Sequence, residues 1–405
     1  MEYPQAEELF WLVVGGAPRS GTTALGAALN QSGAVALFHE YASKKLFDAL
    51  DVLFSEEARM RAFADFDNFA HLMPVRSRDE QAIVRSVFRA VFGKEARFFG
   101  TKFPGHHAWP QPNYPQWLGL KEIHITRDPF DVVLSMLKKD HGESVRPEDV
   151  ENALFGWIHA WNYAVGRHGA GDFLNVFYDD LVLDNARWQQ SISGFLGGID
   201  DFSLASFRKV SELPVHDKFA RANMSEHLPF IESIAEVNGW ASGASASLEA
   251  GRKIGFPLRT DQAIDLRNTG NGSRYIDHGF YPAERDGAWT RGTLNDVLFT
   301  PTEDYEGALA MALDIVWVAE LHGKGRDVMI SLDDRTVFHS RLSLGQRNGT
   351  GMTLSVVVPD MRLQPRRAIS LKIQVLDPVN PCREGLSGDD RELGAMVRSI
   401  TFSRL

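Results

Sequence analysis

The sequence predicts an α/β domain, a parallel sheet flanked by helices, followed by an all-β sandwich or jelly-roll domain. Three observations carry this prediction. The continuous apolar run Phe10 to Val14 ends in Gly15-Gly16 and precedes a helical stretch from Thr22 to Leu29. Such runs suit strands buried on both faces of a parallel sheet. Strand and helix patterns then alternate up to residue 260, as in layered α/β proteins. Beyond that point the apolar residues alternate with period two, most clearly from Ile369 to Val375, the pattern of half-buried sandwich strands.

The elements follow in order. Leu120 to Thr126 forms a second apolar run and ends at Arg127-Asp128-Pro129. Phe130, Val133, Leu134 and Leu137 then recur at helical spacing behind a proline, a normal helix opening. Phe173 to Phe177 is a third strand, and helical patterns fill 80–93, 148–168 and 185–197. Asn268 to Ser273 reads as a linker. Met329–Leu332, Val337–Leu342 and Thr353–Val358 are further strands of the C-terminal part. The expected domains are residues 8–262 and 274–405.

Composition narrows the function. Of 405 residues, 44% are apolar and 24% charged, which fits a globular chain rather than a disordered one. A net charge of -10 argues against nonspecific nucleic-acid binding but leaves room for a local basic pocket. The single cysteine, Cys382, forms no intramolecular disulfide. With no basic n-region and no long apolar stretch, the expectation is a cytoplasmic protein without a membrane span.

Gly16-Ala17-Pro18-Arg19-Ser20-Gly21-Thr22-Thr23 lies between a buried strand and a helix. Glycines let several backbone N–H groups converge on one anion, and the helix start adds its dipole. Thr22 and Thr23 supply hydroxyls and Arg19 a charge-assisted donor. The spacing resembles a Walker A loop, but Thr22 stands where that loop carries lysine, which points away from ATP hydrolysis. In the second motif, Arg127 closes a strand and Ser135 follows on the next helix. A guanidinium with a hydroxyl clamps a monophosphate, whereas Asp128 and Asp131 are expected to cap the helix start.

GAPRSGTT resembles the 5′-phosphosulfate loop of sulfotransferases that use 3′-phosphoadenosine 5′-phosphosulfate (PAPS), in the "PRSGTT" form of bacterial, Golgi and tyrosylprotein members. RDPFDVVLS is similar to their 3′-phosphate motif, and Tyr178-Asp179-Asp180-Leu181 to their "Y-E-D-L" segment, a support for the sheet end. The resemblance implies a P-loop-containing fold with PAPS as co-substrate. Pro18, Arg19, Ser20, Gly21, Thr22 and Thr23 would hold the 5′ side, and Arg127 and Ser135 the 3′-phosphate. It implies that Arg19 stabilises the leaving phosphate and that Lys102, in a "K-x-P" stretch, bridges sulfate and acceptor. Tyrosylprotein-type members place a glutamate base after the first helix, so Glu40 is the first candidate and His39 the second. His106 is a third, because Phe103 and Pro104 break the "K-T-H" pattern of the cytosolic class. The Gly-rich basic loop of that class has only Gly251-Arg252-Lys253 as a counterpart. No closely spaced ligand set calls for a metal.

The segments from Gly279 to Trp289 and from Gly385 to Gly394 resemble β-sandwich modules appended to bacterial glycosyltransferases, which implies a carbohydrate or glycoconjugate acceptor. Tyr281 and Trp289 are then sugar-stacking residues or core aromatics. Two alternatives stand beside a sulfotransferase: a P-loop nucleotide kinase or triphosphatase, and a glycan-binding protein with a degenerate transferase domain.

Overall fold

The computed structural model describes residues 9–39, 89, 92–94, 96–108, 119–140, 145–207, 213–238, 252–317, 325–342 and 351–405. The chain divides into two compact units, Met1–Leu228 with Ser242–Gly251, and Pro229–Ala241 with Arg252–Leu405.

The first unit is a layered α/β body. Its elements are β1 (Phe10–Gly16), α1 (Thr22–Leu29), β2 (Val35–His39), β3 (Phe98–Lys102), β4 (Gly119–Thr126), α2 (Pro129–Asp140), α3 (Pro147–Arg167), β5 (Phe173–Phe177), α4 (Tyr178–Leu183), α5 (Asn185–Phe195) and α6 (Val215–Arg221). The five strands are all parallel, in the order β2-β3-β1-β4-β5. Alternate residues of each strand face opposite ways. Leu12, Val14, Ile123, Ile125 and Val176 join Leu25 and Leu29 of α1 and Ile192 of α5 in one core. Glu122 and His124 point to the other face, where Tyr163 of α3 meets them. The strands on either side of β1 are reached in opposite directions of travel, so the carboxyl ends of β1 and β4 flank a topological switch point. Open α/β sheets bind ligands at that position.

The second unit contains α7 (Leu228–Val237) and two mainly antiparallel sheets. Its strands are β6 (Phe256–Leu258), β7 (Ile264–Asp265), β8 (Ile276–His278), β9 (Ala288–Arg291), β10 (Asn295–Pro301), β11 (Tyr305–Trp317), β12 (Arg326–Leu332), β13 (Arg335–Leu342), β14 (Met352–Leu363), β15 (Ile369–Val375) and β16 (Leu393–Arg404). One sheet runs β13-β12-β15-β10-β6 with β8 beside β10, and the other β14-β11-β16-β7 with β9 beside β16. In β15 the alternation is complete: Ile369, Leu371, Ile373 and Val375 are buried, and the residues between them are half-buried.

β6 and β7 pair with β10 and β16, so this body takes in residues ahead of Asn268–Ser273. That stretch is not a free connector. The Asn271 side chain donates to the Ala263 carbonyl at 3.1 Å and accepts from the Asp265 N–H at 2.7 Å. A composition that signals a linker here serves as a turn whose polar side chains satisfy the backbone.

Candidate donor site

The loop after β1 takes positive-φ conformations at two glycines and at Arg19, which is not eased by lacking a Cβ. Gly16, Arg19 and Gly21 have φ of 141°, 70° and 109°. A Cβ on Gly16 would lie 2.3 Å from the Ile125 carbonyl oxygen, so only glycine fits against β4. The Ser20 hydroxyl is fully buried and donates to the Ala17 carbonyl at 2.7 Å, which braces the loop from within. Helix α1 starts at Thr22 without a side-chain cap, leaving its first N–H groups available to an anion. Pro18 is half-buried, Thr22 buried, and Arg19 and Thr23 exposed.

The structure brings this loop and the second motif together across more than a hundred residues of sequence. Arg19 Nε donates to Ser135 Oγ at 3.0 Å. Arg127 Nη1 donates to the Arg19 carbonyl at 3.4 Å. Arg127 is held on three further sides: its guanidinium lies 4.5 Å from the Tyr178 ring centre, its Nη2 donates to Asp131 at 3.2 Å, and its carbonyl accepts from Trp157 Nε1 at 2.9 Å. Its Nε is buried and has no hydrogen-bond partner. An unpaired buried donor on a guanidinium suits a phosphate oxygen.

Asp128 caps α2 as the sequence predicts, accepting from the Phe130 and Asp131 N–H groups at 3.0 and 3.4 Å. Asp131 does not cap. It turns to Arg127 and to Lys218 of α6, whose Nζ lies 2.7 Å from it. Burial first, and the nearby Asp131 charge second, push the Asp128 carboxyl up from 3.8 to about 6. The folded protein therefore holds this proton more tightly than the unfolded chain. The resulting stability is full below pH 3.8 and is lost as pH rises through about 6. Asp128→Asn keeps a capping side chain and removes the cost of a buried charge. We expect the variant to exceed the wild type in stability at pH 8 by on the order of 1–3 kcal/mol, with the gap narrowing toward pH 5, as read by urea denaturation.

Lys102 closes β3 between Val14 of β1 and His39 of β2. It is 2% exposed and its stem packs on Gly26 of α1, so it is not a solvated surface lysine. His39 is exposed at the end of β2, while Glu40 lies outside the described residues. His106 occupies a short turn tied to the loop by a Gly105 N–H to Gly16 carbonyl bond of 3.1 Å. Burial lowers its pKa against the pull of the Glu122 charge, which favours the neutral ring. Its ring meets Tyr163 edge-on at 6.1 Å.

Of the basic triplet Gly251-Arg252-Lys253, Gly251 lies outside the described residues and Lys253 pairs with Asp277 within the second unit. Asp277, His278 and Asp296 form the one cluster of three potential metal ligands among the described residues. No spacing in the sequence reveals it, because the pairing of β8 with β10 sets His278 opposite Asp296. Sequence reasoning also missed Tyr178 as a neighbour of Arg127 and Lys218 as a partner of Asp131. Tyr178 directly follows β5, a strand-end position like that of Arg127, and that signal was available. Lys218 carried none.

Residues 12–201 match the model described as "Sulfotransferase family". This segment is a sulfotransferase-family domain. Members of this family transfer sulfuryl groups. Among solved structures, the chain is similar to the sulfotransferase domain of the Synechococcus PCC 7002 olefin synthase, at 20% identity over 48% of this chain and 75% of that one, TM-score 0.29. It is similar to retinol dehydratase in complex with retinol and PAP, at 17% identity over 56% and 67%, TM-score 0.26. It is also similar to a family 35 carbohydrate binding module from an environmental isolate, at 13% identity over 34% and 80%, TM-score 0.20. No curated protein matches the chain. No described helix is long and apolar enough to cross a membrane.

Proposed function

We propose that the chain transfers the sulfuryl group of PAPS to a hydroxyl or amine of a carbohydrate or glycoconjugate and releases 3′-phosphoadenosine 5′-phosphate (PAP). The sulfur–oxygen bond to the 5′-phosphate breaks, a bond from sulfur to the acceptor atom forms, and the acceptor proton passes to a base. Pro18 to Thr23 cradle the 5′ side, Arg127 and Ser135 the 3′-phosphate. Lys102 meets the sulfate, and Glu40 or His39 takes the proton. As in phosphoryl transfer, positioning and charge stabilisation supply most of the rate.

The observation that carries this reading is the Arg19–Ser135 contact at 3.0 Å, with the unpartnered Arg127 Nε beside it. It supports two anion subsites within reach of one nucleotide. Thr22 in place of the Walker lysine favours it over a kinase or triphosphatase. The carbohydrate part rests on the second unit. The two segments that resemble glycosyltransferase-appended modules meet there, Arg391 pairing with Glu284 at 2.9 Å. Tyr281 is half-buried between Arg291 and Arg391, whereas Trp289 is a core residue.

Incubation with sulfur-labelled PAPS and a panel of glycans tests the reading. Label in a glycan is the expected result. Turnover of magnesium ATP without sulfate transfer would replace it with the kinase alternative. Glu40→Gln is expected to abolish turnover while PAP binding persists. Full activity in that variant would shift the base to His39 or His106.

A further inference from the structure

The 3′-phosphate site of the preceding reading is crowded with carboxylates. Asp128, Asp131 and Asp179 surround Arg127. Burial raises the Asp179 pKa, and so does the Asp131 charge, against the pull of Arg127 and Lys218. A dianionic phosphate brought to this spot would meet strong repulsion unless cations balance the acids. Arg127 alone does not balance them, since one of its two terminal nitrogens already serves Asp131.

Lys218 supplies the balance. It stands on α6, beyond the segment that matches the sulfotransferase family. Its Nζ takes Asp131 Oδ1 at 2.7 Å while Arg127 Nη2 takes Asp131 Oδ2 at 3.2 Å. The carboxylate is thus shared by two cations, and both ion pairs are mostly buried, with side chains 14–19% exposed. Screening by solvent is weak at such exposure. One turn along α2 from Asp131 sits Ser135, the hydroxyl assigned to the same phosphate.

We propose that Lys218 is a positioning residue of the donor site: by neutralising Asp131 it leaves the Arg127 guanidinium able to receive the 3′-phosphate, and it makes α6 part of donor recognition. This rests on the assignment of Arg127 to the 3′-phosphate. Without Lys218, Asp131 has one cation left, draws it fully, and adds an uncompensated negative charge beside the ligand.

Calorimetry on the full chain with PAP and with adenosine 5′-phosphate, which lacks the 3′-phosphate, tests the proposal. Lys218→Met is expected to weaken PAP at least about tenfold, the scale of one charge-assisted bond, and to leave adenosine 5′-phosphate unchanged. Lys218→Arg keeps the affinity. The double variant Lys218→Met/Asp131→Asn removes both charges, leaves no unpaired acid, and is expected to recover most of the PAP affinity. It also keeps the test open if Lys218→Met alone fails to fold. Unchanged PAP affinity in Lys218→Met, equal weakening of both nucleotides, or no recovery in the double variant would overturn the proposal. A wild type that binds PAP no tighter than adenosine 5′-phosphate would instead overturn the 3′-phosphate assignment beneath it.

Discussion

Lys102→Met is expected to lower the rate of sulfuryl transfer by roughly 10²–10³ while PAP binding changes far less. The expectation comes from where the side chain sits. Lys102 ends β3 beside the carboxyl end of β1, next to the loop proposed to cradle the leaving phosphate. Its stem is sealed against Gly26 and only 2% of the residue reaches solvent. A cation held in such a place needs no reorganisation when negative charge builds on the transferring group, and low solvent exposure strengthens its field. Methionine keeps the stem and removes the charge, so packing of α1 on the sheet persists. The split between kcat and PAP affinity is the readout. Equal loss in both would mean that the lysine serves the loop rather than the transferring group.

Arg127→Ala is expected to weaken PAP by about 1.5–3 kcal/mol, roughly ten- to a hundredfold, and to spare adenosine 5′-phosphate. The guanidinium is fixed by Tyr178, Asp131 and the Arg19 carbonyl, so binding costs it little further ordering. Its backbone carbonyl still accepts from Trp157 in the variant, which keeps the anchor of α3 in place. A calorimetric affinity for PAP that matches the wild type would remove Arg127 from the 3′-phosphate.

Much of this site was legible in the sequence because it sits where strand, turn and helix signals coincide. The loop from Gly16 to Thr23 and the motif from Arg127 to Ser135 each follow a buried strand and open a helix. The long helix α3 and strand β5 lie close to where periodicity puts them. Strands β2 and β3 were not legible. Both are five residues long, and β3 carries Gly100 at its centre, which reads as a turn signal. Its reason is close approach, since a Cβ there would lie 1.8 Å from the Leu12 carbonyl oxygen. Asp131 looked like a capping residue because of its place in the first turn of α2. Its partner Lys218 is 87 residues away, on a helix of seven residues with no motif. Charge compensation of this kind is a property of tertiary contact, and one sequence carries no local trace of it.

The most direct measurement is a crystal structure of the full chain with PAP bound. The 5′-phosphate is expected within hydrogen-bond distance of the Ser20 to Thr23 amides and the 3′-phosphate against Arg127 and Ser135, with the Arg19–Ser135 bond exchanged for bonds to the nucleotide. Density for magnesium triphosphate in the loop, or PAP seated away from both motifs, would contradict it.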